Sequence, residues 1–373
     1  MIIPDQKFLF QIPNNITYLN CANMSPLLKS ANDAGIAAIN QRNAPWTYST
    51  KQWFEPAEEL RSLFAKIIKS NVENIALIPS ASYGIAVAKK NIHLKSSQNI
   101  IVLNQEYPSN FYAWRELSKE TGATINIIKK EEGKTWAESI LPMINDKTGL
   151  VAIPNCHWTD GGFVDLVEIS KKARQTGAKL VIDASQSAGA YPLDINKIKP
   201  DFLITVGYKW LLGPYGLGYL YADDKYFNKG KPIEFSWLNK KGSEDFAKLI
   251  EYTDEFKPGA KRFDAGGYPS FIHIPMAIAA LKQILEWGVE NIQETLSLIT
   301  KDIICIAKEH GIDIPASNSC VGHMIGIKVN EAHALGKKLA DNQIYISVRG
   351  TNLRIAPHLY NTIEDVKKLF NFF

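Results

Sequence analysis

A large α/β domain built on a mostly parallel sheet, followed by a smaller α+β C-terminal domain, is the fold that this chain predicts. Three observations carry that expectation. Between about Asn74 and Tyr221, short β-branched runs alternate with helix-period segments, the pattern of βαβ units. After about Lys257-Pro-Gly the alternation stops and longer helices take over. At 373 residues the chain exceeds what one core usually holds. The expected division is a large domain over 20–256 and a small domain over 257–373 joined by 1–19.

Taken in order, Ile75-Ala-Leu-Ile reads as a strand and Tyr83 to Asn91 as a helix. Asn99 to Leu103 is the next strand, followed by a helix from about Asn110 to Thr121. Thr124 to Ile128, Gly149 to Ile153 and Lys179 to Ile182 continue the strand series. The helix between the last two sets Leu166, Ile169 and Ala173 on one face. Beyond 257, helices are expected over Pro275 to Trp287 and Asn291 to His310. Val321 to Val329 is an apolar run with Ala332 to Asp341 behind it, and Ile344 to Val348 and Leu353 to Ala356 read as strands. Thr362 and Asp365 resemble a capping box opening the last helix. In such a sheet, ligands bind outside the carboxyl ends of the strands. Ser80, Tyr107, His157, Asp183 and Lys209 all fall there.

Composition narrows the function classes. An apolar share of 46%, a charged share of 21% and a net charge of +4 describe an ordinary soluble globule with no electrostatic footprint for nucleic acid. No run of about 18 apolar residues could span a bilayer, and the N-terminus does not read as a signal peptide. Cys21, Cys156, Cys305 and Cys320 are widely spaced, which argues against a disulfide framework or zinc site and fits a cytoplasmic protein.

Lys209 is the most informative residue. The apolar run Phe202 to Val206 ends in Gly207, and a lone lysine follows among aromatics and glycines. Asp183, 26 residues upstream, ends another buried run. A lysine and an aspartate at the ends of two buried strands are what pyridoxal phosphate chemistry needs. The amine forms a Schiff base with the aldehyde, and the carboxylate keeps the pyridine nitrogen protonated. As bland alternatives, Lys209 is a surface lysine and Asp183 a helix cap. Gly213-Pro-Tyr-Gly-Leu-Gly218 is faintly dinucleotide-like but precedes a strand, so it fails its context test.

Two longer stretches, Ile182-Asp-Ala-Ser-Gln-Ser-Ala-Gly and Gly207-Tyr-Lys-Trp-Leu-Leu-Gly-Pro-Tyr-Gly-Leu-Gly, occur in the order that marks a known family. The chain resembles the class V aminotransferases among fold-type I pyridoxal phosphate enzymes, from Leu19 to Asn361. That group includes cysteine desulfurases, selenocysteine lyases, kynureninases and isopenicillin N epimerase-like proteins.

The resemblance implies roles. Lys209 is the Schiff-base lysine and a proton shuttle, Asp183 the pyridine-nitrogen partner, and Gln186 a donor to the cofactor's phenolic oxygen. Tyr107 stacks on the pyridine ring. Ala81 and Ser82, at a helix start, cradle the phosphate with Tyr208. His157 lies near the phenolic oxygen and the substrate amine, though a histidine after a strand is also commonly structural. Arg354 forks onto the substrate α-carboxylate, with Arg349 as partner or decoy. Asn23 lines the substrate side. The loop Arg262 to Ser270 reaches a neighbouring subunit's phosphate, with Ser270 standing in where the family carries a hydroxyl and this chain has Gly267. Val206 likewise replaces a common serine.

A homodimer with a shared active site, acting on an α-amino acid, is therefore expected, most simply a transaminase. The runner-up is a β-eliminating lyase of the selenocysteine-lyase or C–S-lyase type. A noncatalytic binding protein on the same fold is a third reading, motivated by Val206 and Gly267. A persulfide mechanism is disfavoured, because Gly350-Thr-Asn-Leu holds no cysteine where desulfurases carry one.

Overall fold

The computed structural model describes residues 1–312, 314 and 319–373. A short first strand, β1, is Thr17–Tyr18. Then come β2 (Ile75–Ile78), β3 (Asn99–Leu103), β4 (Thr124–Ile128) and β5 (Thr148–Pro154). β6 (Lys179–Asp183), β7 (Phe202–Val206) and β8 (Gly218–Ala222) complete the large sheet. The C-terminal part adds β9 (Ile325–Lys328), β10 (Ile344–Tyr345), β11 (Ser347–Arg349) and β12 (Asn352–Ile355).

The large sheet runs β2-β8-β7-β6-β5-β3-β4. Its neighbours are parallel except around β8, which lies antiparallel between β2 and β7. Parallel strands are covered on both faces, which is why these segments are continuous apolar runs. Alternate residues feed two cores. Ile75, Leu77, Ile101 and Leu103 enter one, and Ala76, Ile78, Ile100 and Val102 enter the other.

Element ends differ from the sequence expectation where local chemistry extends them. The helix expected from Tyr83 starts at Ala81, because the Ser80 hydroxyl accepts the Tyr83 N–H and caps it. The next begins at Pro108, whose fixed φ suits the first helical turn. The run Ile344 to Val348 splits in two: β10 pairs with β1, while β11 pairs with β12 beside β9. Thr362 and Asp365 do form the capping box of the last helix.

The small core gathers Leu19, Ile303, Ala307, Ile325, Ile355, Val366 and Leu369. The expected boundary at 257 falls inside a segment that still packs on the large sheet. Ala265 donates its N–H to the Leu77 carbonyl, and the helix His273–Trp287 lies on the helices Lys29–Gln41 and Thr50–Ile68. We propose Gly288 as the break, since its φ of 77° lets one helix end and the next begin. No helix among the described residues is long and apolar enough to cross a membrane.

The free edge of β2 is closed by an ion pair. Arg61 donates through both terminal nitrogens to the Asp264 carboxylate, at 2.8 and 2.6 Å, and also to the Ile75 carbonyl at 2.9 Å. Asp264 in turn accepts the Leu77 N–H at 2.8 Å. Both side chains are fully buried, so removing one strands the other's charge in the core. Asp264→Ala is expected to lose about 3–5 kcal/mol of stability. Denaturant unfolding checks this; an unchanged midpoint would show that the edge is held without the pair.

Candidate active site

β6 and β7 are adjacent and parallel, with Asp183 registered opposite Ile204. Both strands therefore end at one edge of the sheet, and the turn after β7 brings Lys209 back over it. Gly189, at φ 97°, permits that return: a Cβ there would collide with the Trp210 carbonyl. Lys209 is only 7% exposed. Burial pulls its amine down to about 8, against the opposing pull of Asp183 and with help from Arg354 and Arg349. The ammonium sits 5.5 Å from the centre of the Tyr107 ring and 5.8 Å from that of Tyr208.

A cavity of about 150 Å³ opens beside it. Ser80, Ala81 and Ser82 line one side, and Tyr107, Ser109, Ser185 and Val206 line others. Ala81 and Ser82 occupy the first turn of the helix Ala81–Asn91, where N–H groups lack intrahelical partners and favour an anion. Ser80 and Ser82 hydroxyls lie 2.9 Å apart. The Ser185 hydroxyl is buried with no partner. An amine, a flat ring and an anion cradle line one cavity, and Asp183 accepts the N–H of the lining residue Ser185 and acts on the Lys209 charge. The set fits pyridoxal phosphate, with Lys209, Asp183, Tyr107, Ala81 and Ser82 as the residues that would hold it. Tyr208 also lines the cavity, and burial raises its hydroxyl to about 12, so it stays a donor.

Other sequence-predicted residues are more committed to the protein itself. The Gln186 amide donates to the Ala22 carbonyl and accepts from Trp210 Nε1, both at 2.9 Å. One of its N–H groups remains. His157 spends both ring nitrogens, Nε2 on the Asn104 carbonyl at 3.0 Å and Nδ1 on Thr159 at 2.9 Å and Asp160 at 3.3 Å. Its ring stacks on Trp136. Burial opposes its charge, but Asp160 outweighs burial and raises its affinity for a proton. Ser270 does not line the Lys209 cavity of its own chain. It accepts the His273 N–H at 3.3 Å and borders a separate cleft with Tyr48, Trp53 and Phe271.

Arg354 is 1% exposed on β12. It donates to the Trp158 carbonyl at 2.8 Å and to Ser347 at 3.3 Å, while its Nε has no partner. No carboxylate pairs with it among the described residues, and burial, then Arg349, lower it to about 9. Arg349 donates to Asn23 at 3.3 Å, which puts Asn23 at the same mouth.

Three cavity residues were missed by sequence reasoning. Ser185 could have been found from its position two residues after Asp183, and Ser109 from the start of the Pro108 helix. Tyr215 carried no signal beyond its glycine-rich loop. Glu106, beside Tyr107 in the chain, is buried as well, and burial, with Asp183 nearby, raises its carboxyl to about 8. Its Oε1 accepts the Tyr107 N–H at 2.7 Å and so fixes the residue that carries the ring.

Known proteins resemble this chain in sequence and in fold. A family model described as Aminotransferase class-V matches residues 43–369. Among curated relatives, an uncharacterized aminotransferase, YcbU, of Bacillus subtilis is 27% identical, over 85% of this chain and 83% of its own. A kynureninase of Bacillus mycoides is 26% identical, over 86% of this chain and 78% of its own. A probable cysteine desulfurase of Methanothermobacter thermautotrophicus is 25% identical, over 84% and 81% respectively. The solved apo cysteine desulfurase of Thermococcus onnurineus superposes with a TM-score of 0.86 at 20% identity, covering 100% of this chain and 98% of that one. The cystine C–S lyase C-DES, in complex with cysteine persulfide, also gives 0.86 at 20% identity, covering 96% and 97%. With the family match running through the large sheet, the Lys209 cavity and the small core alike, the chain belongs to the class-V aminotransferase family of pyridoxal phosphate-dependent enzymes.

Proposed function

We propose that the protein is an aminotransferase acting on an α-amino acid, with Lys209 at the reacting centre. The observation that carries the substrate class is Arg354, a buried guanidinium without a carboxylate partner among the described residues and near enough to Lys209 for their charges to repel. A substrate α-carboxylate supplies the missing anion. Bound pyridoxal phosphate supplies an electron sink that makes the substrate's α-proton acidic. Lys209, neutral above about pH 8, is placed to take that proton and to return it. The Asp183 side chain lies close enough to act on the Lys209 charge, and Tyr107 presents a flat wall toward the amine.

The alternative of a β-eliminating lyase is favoured by the relatives named for sulfur chemistry. Against a sulfur-accepting thiol stand three of the four cysteines. Cys21 and Cys156 are fully buried, with thiols held well above their usual range by burial. Cys320 borders a different cleft, and burial raises it to about 11. The retained Lys209, Asp183 and Arg354 weigh against a noncatalytic role.

We also infer a homodimer. Trp46, Phe235, Ile250 and Tyr252 lie largely in solvent, and Ser270 sits in a loop suited to reach a neighbouring subunit. Four free cysteines, with Cys305 exposed, suit a reducing, cytoplasmic location.

Three measurements test this reading. Capture of pyridoxal phosphate is expected to speed up as pH rises through about 8, because only the neutral amine is a nucleophile and burial stabilises that form. The visible band and the borohydride-fixed adduct vanish in Lys209→Ala; a half-rise near the ordinary lysine value would refute the buried-amine account. Product analysis should find a keto acid together with an aminated acceptor. Sulfide or pyruvate without an acceptor would move the assignment to the lyase. Sedimentation at micromolar concentration should give a dimer, and a monomer would remove the shared-site proposal.

A further inference from the structure

Arg354 is not the only unpaired guanidinium here. β11 and β12 form a hairpin in which Ser347 faces Arg354 and Arg349 faces Asn352. Directly opposed residues project from the same face of a sheet, and so do residues two apart on one strand. Arg349 and Arg354 are therefore diagonal neighbours on one face, with backbones roughly 7–8 Å apart. The Ser347 hydroxyl, within 3.3 Å of Arg354 Nη2, confirms the facing direction.

Two like charges side by side repel, and the charge of Arg349 lowers the affinity of Arg354 for a proton. Burial lowers Arg349, and it in turn lowers Arg354. Arg349 pairs with no carboxylate among the described residues: its Nη1 meets the Val348 carbonyl, its Nη2 the neutral Asn23 amide, and its Nε is buried with no partner. It stands 5.6 Å from the centre of the Trp158 ring, whose edge meets Tyr107. A cleft of about 560 Å³ opens at this place, lined by Arg349, Lys328, Gln105, Thr351 and Asn352. Glu106 also borders it, but that carboxyl is raised to about 8 by burial and adds little negative charge near neutral pH.

We propose that Arg349 binds a second anionic group on the substrate, so that the preferred α-amino acid carries a carboxylate or similar oxyanion at the end of its side chain. This rests on the reading of Arg354 as the α-carboxylate site. Arg354 then holds one end of the molecule and Arg349 the other. A dianionic ligand relieves the repulsion that the empty hairpin face carries, whereas a neutral side chain leaves Arg349 uncompensated. Lys328, exposed at the rim, adds attraction at longer range.

The test is calorimetric titration of the protein supplied with pyridoxal phosphate, using glutarate and butyrate, two unreactive acids that differ in the second carboxylate. Wild type should prefer glutarate by about 100-fold, as a charge-assisted hydrogen-bonded pair provides. In Arg349→Gln that preference should fall below about threefold, while Arg349→Lys should retain part of it. Persistence of the visible cofactor band in both variants shows that the fold is intact. Equal affinity of wild type for the two acids overturns the proposal. So does an equal loss of both in Arg349→Gln, which would assign the two guanidiniums to one carboxylate. Absence of the cofactor band in wild type would instead sink the enzymatic reading, and calorimetry would still report the preference.

Discussion

Asp183 lies in register with Ile204, so the carboxyl end of β6 is level with the middle of β7, which runs two residues further in the same direction. That alignment of two central parallel strands is the constraint on which the site depends. It brings a carboxylate and a returning lysine to one edge of the sheet, although 26 residues separate them in the chain. The helix Ala81–Asn91 points its N-terminus at the same edge. A slip of one residue in β6 would turn Asp183 to the other face of the sheet, because strand side chains alternate. The apolar packing on both faces opposes such a slip, so the stability of the sheet and the placement of its chemistry have a common origin.

The site is electrostatically uneven by construction. Arg349 and Arg354 oppose the positive charge of Lys209, while Asp183 favours it. Burial makes each of these charges more costly and each interaction stronger than in water. The result is an amine with lowered proton affinity beside guanidiniums that await anions. Trp158 links the parts: its carbonyl accepts from Arg354, its ring lies near Arg349, and its edge meets Tyr107.

Support for this site comes from residues that never touch it. Trp210, next in the chain to Lys209, donates to the Gln186 side chain, and His323 Nε2 lies 2.7 Å from the Gln186 carbonyl. Burial lowers His323 to about 4, so its ring is neutral and donates a single hydrogen bond there. These contacts tie the segment after Asp183 to the segment around Lys209, which restrains both against independent movement.

The sequence alone determined the alternating strands, their apolar faces, the order of the Asp183 and Lys209 segments and the small-residue helix start at Ser80. Each of these is local, set by periodicity, capping or the residue types within a few positions. What it did not determine is where nitrogen and oxygen atoms are spent. His157 looked available, yet Asn104, Thr159 and Asp160 take both of its nitrogens. Ser185 had no role assigned from sequence, yet its hydroxyl is buried at the cavity without a partner among the described residues. The run Ile344 to Val348 looked like one strand, yet β1 claims one half and β12 the other. Arg349 read as either partner or decoy beside Arg354, and only the pairing of β11 with β12 sets both on one face. Hydrogen-bond partners and strand register join residues far apart in the chain, so they are fixed by tertiary packing and cannot be read from local pattern.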